Sequence, residues 1–78
     1  MEKHASIKKL DATGLEPPEP MVRIINELAQ LEAGTVLEVT THRDPVPLYA
    51  LVEARGFSHS IEQLSERRYR LKIWRVDA

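Results

Sequence analysis

Apolar positions change their spacing along this chain, and each change predicts an element. Ser6 to Ala12 predicts a first strand, with Leu10 and Ala12 on one face by the period of two; Ile7 falls out of phase, which a small bulge or a later start would explain. Gly14 breaks the pattern, and Pro17, Pro18 and Pro20 follow it. Proline is tolerated in a first helical turn, where its missing N–H would have had no partner. Met21, Ile24, Ile25, Leu28 and Leu31 then recur at three- and four-residue spacing, with Arg23, Glu27 and Gln30 on the wet side, and Gly34 suits the left-handed position that ends such a helix. Thr35 to Thr41 is a β-branched strand that turns Leu37 and Val39 toward the helices. Asp44 suits an N-cap and Pro45 the first helical position behind it; a short second helix then puts Leu48, Leu51 and Val52 on one face and stops at Gly56. Phe57 to Leu64 and Arg68 to Val76 predict two strands joined around Ser65–Arg67, with Tyr69, Leu71 and Ile73 alternating against Arg70, Lys72 and Trp74.

The order β-α-β-α-β-β fits an α+β two-layer sandwich in which both helices cover one face of a single sheet. The first two strands, joined by a helix, are expected to be parallel with a right-handed crossover, and the last two to form an antiparallel hairpin. The 78 residues make one domain, residues 1–78, with a core over about residues 6–76. A chain of this length has a marginal core, so a monomer or a weak homo-oligomer is expected.

Composition narrows the chemistry. With 42% hydrophobic and 29% charged residues the chain is globular material. The absence of cysteine excludes disulfides, thiolate zinc sites and a cysteine nucleophile. No apolar run reaches the ~20 residues of a membrane span, and Met-Glu-Lys-His leads into no apolar signal segment, so a cytoplasmic location is expected. The net charge is only -1, but it is unevenly distributed: residues 11–38 carry six acids and one base, residues 66–75 five bases and one acid. A sheet face bearing Arg70, Lys72 and Trp74 is one way to hold single-stranded RNA. One tryptophan and a pI of about 6.3 are a thin footprint for it.

The stretch Leu10-Asp11-Ala12-Thr13-Gly14-Leu15-Glu16-Pro17-Pro18-Glu19-Pro20 resembles the opening of the TusA/SirA family of small sulfur carriers, in which an aspartate and Gly-Leu precede a Cys-Pro-x-Pro motif at the first helix. Gly34 before an apolar strand, and Asp44-Pro45 after it, extend the resemblance over roughly residues 6–76. It implies a TusA-like βαβαββ sandwich with a mixed four-stranded sheet in the order 1-2-4-3. The family's cysteine falls on Pro17, and a persulfide relay needs a thiolate, so the family's sulfur transfer is excluded. With His42-Arg43-Asp44-Pro45-Val46-Pro47-Leu48-Tyr49 downstream, the chain looks like a cysteine-free relative, a TusA-like domain of unknown function. Such relatives often lie near, or fused to, hemerythrin-like and denitrification-related proteins, which implies an accessory role in redox or nitrogen-oxide metabolism.

Parallel strands end at one edge of a sheet, and ligand sites in α/β sheets favour that edge. Both motifs fall on it. The candidate binding residues are therefore Glu16 and Glu19 before the first helix, and His42, Arg43, Asp44 and Tyr49 at the second; Gly14, Pro17, Pro18, Pro20, Pro45 and Pro47 shape the backbone there. Each has a structural reading as well: Glu19 complements the helix dipole, Asp44 caps, Arg43 forms a surface ion pair, and Tyr49 packs its ring on the helix with a wet hydroxyl. His4 and His59 are not expected at this edge; His59 is in phase with Phe57 and Ile61 and reads as a partly buried histidine. Glu16, Glu19 and His42 supply donors for a metal- or small-ligand carrier, although no metal-binding spacing accompanies them. No nucleophile–base pair is present, and two helices on one sheet face leave little room for a deep pocket. The reading reached is a non-enzymatic binding or interaction module without a cofactor, whose partner is a protein or a small ligand; the metal carrier and the RNA binder are the alternatives.

Overall fold

The structure is a computed structural model that describes residues 6–16 and 18–76. His4 and Pro17 lie outside the described residues. The elements are β1 (Ser6–Asp11), α1 (Glu19–Ala29), β2 (Thr35–Thr41), α2 (Val46–Ala54), β3 (Phe57–Ser65) and β4 (Arg68–Arg75). They form one mixed sheet in the order β1-β2-β4-β3, with β1 parallel to β2 and the other two pairs antiparallel. No helix of the described residues is long and apolar enough to cross a membrane.

One face of the sheet carries the core. Leu37 and Val39 of β2 and Leu71 and Ile73 of β4 are fully buried, as the period of two requires, against Ile24 and Leu28 of α1 and Leu48 and Val52 of α2. Phe57 and Leu31 lie together at one end of this core, where the Arg75 guanidinium sits 5.4 Å from the Phe57 ring centre and its Nε–H donates to the Leu31 carbonyl at 3.3 Å. Ile7 needs no bulge: β1 pairs with β2 in unbroken register from Ser6↔Thr35 to Asp11↔Thr40, so Ile7 lies exposed on the open face while Lys8, on the helix side, reaches Glu27 of α1 at 2.6 Å.

Two helix boundaries differ from the expectation. Helix α1 ends at Ala29 with Gln30 as its C-cap; Gly34, at φ +87°, serves the following turn, in which Thr35 N–H reaches the Glu32 carbonyl at 3.1 Å. Leu31 still reaches the core, but from the loop. At α2 the N-cap is Pro45, not Asp44, and Val46 is the first helical residue. The Asp44 carboxylate caps no amide, because the Val46 N–H goes to the Asp44 backbone carbonyl at 2.9 Å. Pro47 lacks an N–H, and Leu48 N–H is taken by the Pro45 carbonyl at 2.9 Å. Gly56, with φ +87°, ends α2 where the sequence placed it; its N–H bonds to the Glu53 carbonyl at 3.1 Å.

Candidate functional site

Strands β1 and β2 end side by side at Asp11 and Thr41, and the chain leaves each of them into a proline-started helix. Ala12 N–H still bonds to the Thr40 carbonyl at 2.8 Å, so the sheet edge is continued one residue into the first loop. That loop is held in three ways. Asp11 Oδ1 accepts the Thr13 N–H at 3.0 Å and the Thr13 hydroxyl at 2.5 Å. These two bonds hold the Asp11 carboxyl below its ordinary pKa of 3.8, with a smaller contribution from the charge of Arg68. Gly14 turns the chain at φ +82°. Its N–H is then aimed at His42 Nδ1, 3.4 Å away in the second loop. With Nδ1 accepting, the proton of the neutral ring sits on Nε2.

The second loop is tied down as firmly. Thr41, buried at the end of β2, donates its hydroxyl to the Arg43 carbonyl at 2.6 Å. Asp44 Oδ1 accepts the Tyr49 hydroxyl. Tyr49 in turn stacks on His59 of β3, with ring centroids 4.4 Å apart and planes 8° from parallel, and His59 Nδ1 lies 3.7 Å from Glu53. Burial, and next the Asp44 carboxylate, push the tyrosine pKa well above its ordinary value of 10.

Between the two loops lies a cleft of about 320 Å³. Its floor is Ala12, Ile24 and Leu48, its walls Leu15, Met21 and the prolines Pro18, Pro20, Pro45 and Pro47, and its polar side is Thr41, His42, Arg43 and Asp44. Small Ala12 at the floor leaves room that a larger side chain would occupy. The expectation that two helices on one face leave little concavity is thereby corrected. The hollow opens at the edge of the sheet, where two loops diverge, rather than between the layers.

The residue range over which a family profile fits is nearly the whole of this fold: residues 9–75 match the profile described as "Uncharacterized conserved protein (DUF2249)". The chain belongs to that family. The fold also superposes on a crystal structure of a SirA-like protein from Desulfitobacterium hafniense, with a TM-score of 0.74 and 28% sequence identity over 86% of this chain and 93% of that one. No curated protein matches. This DUF2249 chain is thus a cysteine-free relative on the SirA-like α+β fold, with its sheet in the order the resemblance implied.

Of the predicted site residues, His42, Arg43 and Asp44 line the cleft, and Tyr49 supports it from behind through Asp44. Glu16 and Glu19 are exposed and are not part of its lining; Glu19 lies 3.7 Å from Arg23, one helical turn on. Arg43 makes no ion pair among the described residues, in place of the expected surface pair. No three His, Asp or Glu side chains among the described residues are grouped to hold a metal ion. The apolar wall formed by Leu15, Met21 and the prolines was missed as a wall; the prolines read from sequence only as stiffeners. On the open sheet face Arg70 lies 3.7 Å from Glu38 and 3.3 Å from Glu62, and Lys72 pairs in register with Glu38. Among the described residues the bases of that face are thus interleaved with acids.

Proposed function

We propose that this chain is a non-enzymatic binding module whose cleft at the β1/β2 edge holds an apolar group of a small ligand or partner protein. The observation that supports this reading is the cleft itself. It lies where both sequence motifs meet, and its walls are apolar side chains set on four prolines. Prolines fix φ in advance, so less conformational freedom is lost when the site is filled. Its volume of about 320 Å³ is at the lower end of ligand sites, and apolar walls with a few polar groups on one side are their usual composition. No thiol is present in the sequence for sulfur relay, and among the described residues the cleft lining carries no hydrogen-bonded nucleophile–base pair. A module without a reacting group suits the accessory role in redox or nitrogen-oxide metabolism that cysteine-free relatives suggest.

Amide-resolved NMR of the chain against a set of small apolar fragments tests the reading. Saturable shifts are expected at Ala12, Leu15, Met21 and Leu48. Shifts confined to Lys72, Trp74 and the open face of the sheet would place binding elsewhere and end the proposal.

A further inference from the structure

The polar side of the cleft has an imbalance that identifies the ligand's chemistry. Thr41 donates its hydroxyl to the Arg43 carbonyl, Asp44 holds the Tyr49 hydroxyl through Oδ1, and His42 Nδ1 accepts from Gly14 N–H. The groups left over are the second oxygen of Asp44, the His42 Nε2–H and the guanidinium of Arg43, which is exposed and has no carboxylate within ion-pair distance among the described residues. Two of these three are donors, and arginine cannot accept at all. Glu19, the acid of the neighbouring helix start, is placed with Arg23 instead. Pro18, Pro20, Pro45 and Pro47 on the walls have no N–H and add no backbone donor there.

We propose that the cleft binds a small monocarboxylate, with its apolar body against Leu15, Met21 and Leu48 and its anionic head on Arg43 and the His42 Nε2–H. This rests on the reading of the cleft as the binding site. Guanidinium–carboxylate contacts are charge-assisted and can be bidentate, so the head decides between ligands of equal apolar body. Asp44 is the rival influence, since its carboxylate would favour an ammonium head. One of its oxygens is held through Tyr49 toward α2, whereas the Arg43 guanidinium has no ion-pair partner among the described residues.

The test uses three probes of one chain length, hexanoate, hexan-1-ol and hexylammonium, titrated into the whole chain at neutral pH and followed by amide NMR. Hexanoate is expected to shift Ala12, Leu15, Met21 and Leu48 saturably, with an affinity about tenfold above that of either other probe. Arg43→Gln is expected to remove that advantage while leaving the weak hexanol binding unchanged, and Arg43→Glu to transfer it to hexylammonium. Arg43 is exposed, so both variants should retain the wild-type amide pattern away from the cleft. Equal binding of all three probes at the cleft overturns the carboxylate inference and leaves the site reading standing. Hexanoate binding that survives both Arg43 variants overturns it too. If none of the probes shifts the cleft amides, the inference is wrong, and the wider fragment set decides the site separately.

Discussion

Gly14 and Asp11 hold the first loop by different means. An added Cβ at Gly14 would meet nothing within 4 Å, so a substitution there costs backbone strain and no packing. At φ +82° that strain is large for a branched residue and smaller for asparagine, which tolerates the left-handed region. Gly14→Val is therefore expected to destabilise by about 1–3 kcal/mol and Gly14→Asn by clearly less, read from denaturant midpoints. Equal losses would show that something other than φ is at stake. Asp11 acts through its charge. Its folded-state pKa is depressed by the Thr13 hydroxyl and amide, so its contribution is present above the ordinary value of 3.8 and fades as pH falls through the lower folded value. Acid unfolding of wild type and Asp11→Asn should differ at neutral pH and converge below that value; a gap that persists into strong acid would mean the carboxylate was not its source.

Among the elements, the strands were legible because their evidence is local. Leu71 and Ile73 alternate with Arg70 and Lys72, and the structure buries the first pair completely. Helix ends were less so. Leu31 continues the three- and four-residue spacing of α1, yet it lies beyond the helix, because spacing does not distinguish a further turn from a loop that returns an apolar residue to the core. Parallel strands ending at one edge were enough to place His42, Arg43 and Asp44 together. They do not distinguish these from Glu16 and Glu19, which stand exposed outside the lining of the cleft. The stack of Tyr49 on His59 joins α2 to β3. Only the inward phase of His59 hinted at it. A cleft is a gap between elements, so its volume has no sequence pattern at all, although its wall of prolines stood in plain view.

For the whole molecule, the decisive comparison is between a shared fold and an absent atom. The SirA-like structure from Desulfitobacterium hafniense and this chain superpose over most of their lengths, so the scaffold alone does not set the chemistry. Sulfur relay on the TusA/SirA pattern requires a thiolate at the start of the first helix, where the helix dipole lowers a thiol's pKa. This chain has proline there and no cysteine anywhere in its 78 residues. Incubation with a cysteine desulfurase and cysteine is therefore expected to leave its mass unchanged. Pro17→Cys would complete a Cys-Pro-x-Pro motif with Pro18 and Pro20, one residue before the Pro18 N-cap of α1. That variant is expected to gain one reducible sulfur atom by mass spectrometry, released by a thiol reductant. Wild type that acquires such an adduct would contradict the need for a thiolate. A folded Pro17→Cys variant that stays inert would show that the carriers' chemistry depends on more of the helix start than the aspartate, Gly-Leu and Cys-Pro-x-Pro residues that the variant would share with them.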